Sequence, residues 1–215
     1  EGICGVAVRH QVGQYLPQLR LLNADWVEAR VVPRFAAGIA DPDADPIWPA
    51  YLVWSGLYDD LYRQWAVWYT QAAAMMPIAL AAETSEHKPF EHLVLHLTIA
   101  YLRGLADLGD EGSGVMVAYK RAPASLLSHL YWRLQRDFDD STDPPPAQIL
   151  ARLEHLLRWR VVELEAMTSE EERAKEAAAL MWFVASRHVA PANALALGVK
   201  VVPWIIDDDT MLRLA

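Results

Sequence analysis

Apolar residues recur at helical spacing along almost the whole chain. Phe90, Leu93, Leu97, Tyr101 and Leu105 form one stripe, and Leu126, Leu127, Leu130 and Leu134 form another. Ile149, Leu150, Leu153, Leu156, Leu157 and Val161 make a third, broader one. Between Trp48 and Met76 the pattern becomes aromatic. Ile47, Trp48, Tyr51, Leu52 and Trp54 share one helix, and Leu61, Trp65, Trp68, Ala72 and Met75 line the next. Only Gly198 to Val202 alternates with period two, and it fits the end of a helix equally well. The pattern therefore predicts an all-α fold. Irregular spacing between helix starts suggests antiparallel helix pairs in a HEAT-like stack, a degenerate α-solenoid without an exact repeat.

The punctuation between stripes sets the expected boundaries. Residues 1–19 read as a first helix that Gly2, Gly5 and Gly13 weaken, with Pro17 near its end. Asn23 and Asp25 offer caps for a helix from Trp26 to Ala37, which Pro33 kinks or whose second half it starts, and which Gly38 ends. Asp45-Pro46 has helix-start chemistry, and Pro77 predicts a kink near Ala73. Gly109 to Gly114 reads as a loop, followed by a short helix from Val115 to Arg121. Ser141 to Pro146 carries three consecutive prolines, so residues 140–147 are expected to be an exposed connector. Thr168 and Glu171 have the spacing of a capping box. The helix after them is expected to bury Ala178, Met181, Trp182 and Val184. A helix from Pro191 to Val202 meets Pro203, and Asp207 to Asp209 cap a last turn.

Composition narrows the classes. Hydrophobic residues make up 53% of the 215 positions and charged residues 22%, ordinary globular values. The pattern is read as one helical domain, 1–215, and the opening on Glu1 rather than Met fits a fragment of something longer. A formal charge of −9 argues against a nucleic-acid surface, which needs a basic face. The single cysteine, Cys4, precludes an internal disulfide and fits a reducing, cytoplasmic compartment. No apolar run reaches the roughly eighteen residues of a spanning helix, so no membrane role is expected.

Chemistry is sparse. His92 and His96 sit one helical turn apart and could supply two zinc ligands, but the HExxH order is absent. The alternative is a pair of histidines on an amphipathic helix. Cys4, among Gly, Ile and Val, reads as a small apolar residue rather than a nucleophile. Asp59-Asp60, Asp139-Asp140 and Asp207 to Asp209 could hold Mg²⁺, or cap helix ends. Gly109 to Gly114 lacks the lysine and preceding strand of a phosphate loop, so no cofactor is expected. The aromatic stretch is core by its spacing. Should it be a binding groove instead, Trp54, Tyr58, Tyr62 and Tyr69 are the candidate contact residues.

Several segments together resemble a known family. WPAYLVWSGLYDDLYRQW, LVLHLTIAYLRG, APASLLSHLYWRLQR, ILARLEHLLRWRVVE, EAAALMWFVASRHV and the closing IIDDDTMLRLA look like the helical carboxy-terminal region of large bacterial antiphage defence proteins. The resemblance covers residues 45–215. The family's aromatic doublet, small residue and serine correspond to Trp182-Phe183-Val184-Ala185-Ser186, and the Gly-Trp usual near that doublet is missing here. Those proteins carry a sirtuin-like or nucleoside-triphosphatase effector ahead of this region. The resemblance thus implies a non-catalytic sensor, autoinhibitory or assembly module. Its partner would be another protein or another domain of the same polypeptide. The alternatives are a metal-dependent all-α enzyme using the His92/His96 face, and an acidic immunity-type protein that binds a basic toxin.

Overall fold

The computed structural model describes residues 3–76, 88–109, 112–141, 143, 145–184 and 187–206. Among these residues the chain is all-α, with no strand. It forms two compact units, 1–121 and 122–215. The hydrophobic pattern runs across that boundary unbroken, because Arg121-Ala122-Pro123 has no linker composition. The described residues of 140–146 lie between two helices and outside both, and Ala147 begins the second of them.

In the first unit α1 (Ile3–Gln14) packs along α5 (Ile47–Trp54). Gly13 permits this close approach, since a Cβ there would lie 2.9 Å from that of Ala50. The residue that weakens the helix in isolation is what lets the helix pack. Pro17 does not close α1. It sits in the first turn of α2 (Leu16–Leu22), where its missing N–H is harmless. Asn23 caps α3 (Ala24–Arg30), its side chain accepting from Trp26 N at 3.0 Å. The expected helix from Trp26 to Ala37 is broken by a 3₁₀ turn at Val32–Arg34, around Pro33. Gly38 lies inside α4 (Phe35–Ala40) rather than ending it. A Cβ there would come within 2.6 Å of Asp45 O, so close backbone approach accounts for the glycine.

Asp45 is buried beside that contact. Its carboxylate receives Arg34 Nε and Nη2, each at 2.7 Å, and its Oδ1 accepts from Ile47 N at 3.4 Å. α6 (Asp59–Met75) bends at Trp65 (φ −109°, ψ 15°), not near Ala73. Its inner face is Leu61, Tyr62, Trp65, Tyr69, Ala72 and Ala73. Of the expected stripe, Leu61, Trp65 and Ala72 lie inside, whereas Trp68 is half-buried and Met75 exposed. α7 (Lys88–Leu102) and α8 (Gly114–Arg121) complete the unit against α6.

The second unit holds α9 (Ala124–Asp139), α10 (Ala147–Glu165), α11 (Glu170–Val184) and α12 (Pro191–Ile206). Ala124 N donates to Glu172, and Arg187 donates to Asp139 O. Both ties span 48 residues, so α9 and α11 run in the same direction in constant register. Glu154–Asn193 and Glu165–Lys200 likewise make α10 and α12 codirectional. The cap of α11 is Ser169 rather than Thr168, its Oγ accepting from Glu172 N at 3.3 Å. Asp207 to Asp209 lie outside the described residues.

Trp65 is 1% exposed and packs on Phe35 and Tyr51 at 5.2 and 5.6 Å. Trp65→Ala is expected to lower stability by about 3–5 kcal/mol. Trp68→Ala, which removes a half-buried ring touching Phe35, should cost clearly less. Urea midpoints of the two variants check the order.

Candidate functional site

The aromatic stretch that dominates the sequence is core. Phe35, Trp48, Tyr51, Trp65 and Tyr69 make tilted and edge-on contacts with centroids 5.0 to 6.5 Å apart. Of the four contact candidates, Tyr62 and Tyr69 are buried, which removes them from any groove, while Trp54 and Tyr58 reach the surface. Tyr69 is inside because the i+4 steps from Leu61 through Trp65 all point to one side.

His96 belongs to this core. Its Nε2 lies 3.0 Å from Ser55 O, and a carbonyl oxygen only accepts, so Nε2 carries a proton. With the ring neutral, Nδ1 accepts from the Tyr69 hydroxyl at 3.0 Å, and Tyr69 in turn accepts from Tyr51 at 3.0 Å. Both ring nitrogens thus have partners within the fold, and the zinc-ligand role for which His96 was a candidate has no lone pair left for it. His92, on the same helix, is half-buried. Among the described residues no group of three or more His, Cys, Asp or Glu is placed to hold a metal. Cys4 falls in α1, with its side chain outside the described residues. Burial pushes the Tyr51 hydroxyl up to about 12, and burial raises Tyr69 well above the ordinary tyrosine value.

An open surface site lies in the second unit instead. α11 does not turn the expected face inward. Ala174, Glu176, Ala177, Leu180, Phe183 and Val184 are buried, whereas Trp182 is 73% exposed and Ala178 and Met181 only half-buried. The cause is Glu176. It is fully buried, bound by Arg160 Nε and Nη2 at 2.5 and 2.6 Å and by the Tyr131 hydroxyl at 2.9 Å. A buried carboxylate needs such a charged, bidentate partner, so it has one rotational setting. That setting places Lys175, Ala178, Ala179 and Trp182 on the outer face, at i, i+3, i+4 and i+7.

α9 presents a matching face. Its core residues are Leu126, Leu127, Leu130, Tyr131 and Leu134, which leaves Ser128, Trp132, Gln135, Arg136 and Asp139 outward. The two faces bound a groove of about 760 Å³. Its floor is small (Ser128, Ala178, Ala179) and its walls include Trp132, 56% exposed, and Trp182. Trp132 stacks on His129 at 6.1 Å, and the Arg136 guanidinium lies 4.7 Å from its centroid, so the ring is held in place.

Asp139 and Asp140 stand at one end of the groove. They were expected to cap orphan N–H groups, but they lie at the carboxy-terminal end of α9, where the unpaired groups are carbonyls. Asp59 and Asp60 do sit in a first turn, that of α6, paired with Arg103 and Arg20 at 3.0 and 3.2 Å. Exposed tryptophans at helical spacing opposite a buried charge were the one signal for the groove in the sequence. The phase of α11 was needed to see it.

Fold and groove together define an all-α protein with an open aromatic groove between two codirectional helices. No protein family, curated protein or solved structure matches the chain.

Two outcomes follow from these buried polar groups. A tyrosine whose folded pKa is raised contributes stability below its unfolded value near 10, and that contribution is lost as pH rises towards the folded value. The first unit should therefore lose stability between about pH 10 and 12, with the tyrosinate absorbance of Tyr51 and Tyr69, isolated by difference from Tyr51→Phe and Tyr69→Phe, appearing together with unfolding rather than ahead of it. In the second unit, Glu176→Ala leaves Arg160 buried without its counter-ion and should cost about 3–5 kcal/mol. Arg160→Met with Glu176→Leu should recover most of that loss in the same denaturant titration.

Proposed function

We propose that the chain is a non-catalytic helical interaction module that works within a bacterial antiphage defence protein, with the α9/α11 groove as its contact surface. The exposure of Trp132 and Trp182 on either side of a small-residue floor carries the reading. Isolated exposed apolar residues are ordinary. Two tryptophans converging on one concave surface are what interfaces use as anchors. The codirectional pairing of α9 with α11 and of α10 with α12 supports the HEAT-like stacking expected from the sequence. Recognition would involve another domain of the same polypeptide or a separate protein. The metal-enzyme alternative loses its support, because both ring nitrogens of His96 are engaged.

Hydroxyl-radical footprinting tests this reading. In the isolated chain Trp132 and Trp182 should oxidise readily and buried Trp65 should not. In the full-length protein, resting or challenged by phage, Trp132 and Trp182 should become protected. Trp132→Ala with Trp182→Ala should abolish phage resistance without lowering the denaturant midpoint. Equal oxidation in both proteins under both conditions, with resistance intact, would sink the reading.

A further inference from the structure

We infer that the groove receives a basic amphipathic segment of a protein, which sets a Lys or Arg side chain against the α9 terminus and lays apolar residues between Trp132 and Trp182. This rests on the groove being a contact surface, and charge complementarity supplies the rest. The cations that line the groove already have acidic neighbours. Lys175 Nζ lies 2.6 Å from Glu171 and 3.6 Å from Glu172, and Arg136 lies 3.6 Å from Asp137 while stacked on Trp132. Of the two acids that line the groove, Asp139 has cationic neighbours and Asp140 has none among the described residues. Asp137, Asp139 and Asp140 crowd the last turn and cap of α9, where the helix dipole already places negative charge.

Asp139 shares Arg187 and His188, at 3.5 and 3.3 Å, but its Oδ1 is buried without a hydrogen bond. Arg187 also donates to Asp139 O at 2.6 Å and to His188 Nε2 at 3.2 Å, so its charge is spread over several acceptors. Asp140 is exposed, and among the described residues its carboxylate has neither hydrogen bond nor ion pair. An arriving cation relieves this repulsion, a gain that an acidic or neutral segment cannot obtain. Trp182 supplies the second half of the recognition. Arg136 shows that a guanidinium already sits over the Trp132 ring, and the open ring of Trp182 offers the same attraction to an incoming cation. The floor of Ser128, Ala178 and Ala179 leaves room for the aliphatic stem and apolar neighbours of such a residue.

The test is calorimetric titration of the full chain with a blocked, tryptophan-free amphipathic peptide of leucine and lysine, beside its leucine–glutamate counterpart. The lysine peptide should bind with a dissociation constant in the micromolar range, and the glutamate peptide at least about tenfold more weakly. Asp140→Asn should weaken the lysine peptide several-fold while leaving the fold as stable or more so, because Asp140 is exposed and its charge lies at the wrong end of a helix. Trp132→Ala with Trp182→Ala should weaken it similarly with no change in net charge. Equal affinity for the two peptides, or an unchanged affinity in the asparagine variant, would overturn the proposal. So would binding that survives loss of both tryptophans and vanishes with salt, since that is diffuse attraction to an acidic chain. Tryptophan protection in the full-length protein without any preference for the lysine peptide would refute the basic partner and leave the contact surface standing.

Discussion

In the carboxy-terminal unit one ion pair governs the arrangement. Glu176 has no exposed surface and is clasped by Arg160 from α10 and Tyr131 from α9. Three helices therefore meet at one carboxylate. The geometry tolerates little rotation of α11, because turning Glu176 away would leave the Arg160 guanidinium buried and unpaired. Replacing such a pair by apolar residues is often no loss in stability, so its distinctive contribution here is orientation. With Glu176 inward, Leu180 and Phe183 follow it into the core and Trp182 is carried to the surface.

The amino-terminal unit solves a different problem. Its core concentrates large rings, and those of Tyr51, Tyr69 and His96 bring their polar atoms together inside. A single relay accommodates these atoms, from Tyr51 through Tyr69 to His96 and on to Ser55 O. A buried hydroxyl left without a partner costs more than a made hydrogen bond contributes, so the relay constrains α5, α6 and α7 together. The same logic explains why His96, conspicuous in sequence as a ligand candidate, is a structural residue. Its neighbours in space, forty-one and twenty-seven positions away, take up both nitrogens.

The errors of the sequence reading share one origin. The helices themselves were legible, as were the proline-rich connector, the Asn23 cap and the inward face of α9. These depend on local periodicity and local hydrogen bonds. Phase was lost where the helix was irregular or its core was not apolar. On α6 the inner face runs through Tyr62, Tyr69 and Met76, which leaves Trp68 half-buried and Met75 outside. On α11 the apolar count favoured burying Trp182, because a charged Glu176 is ordinarily placed in solvent. Gly13 was read as a weakness of its helix and Gly38 as a helix end, although each marks the close approach of another segment.

The sequence alone thus determined the all-α class, the helical stripes and the acidic balance, since these follow from spacing and composition. Whether a tryptophan lies in a core or on a groove wall was decided only in three dimensions. Burial is a property of the partner surface, and a helix exposes whichever face its strongest long-range contact leaves over. For α11 that contact is a charge pair joining residues sixteen positions apart on separate helices, which no local pattern can announce.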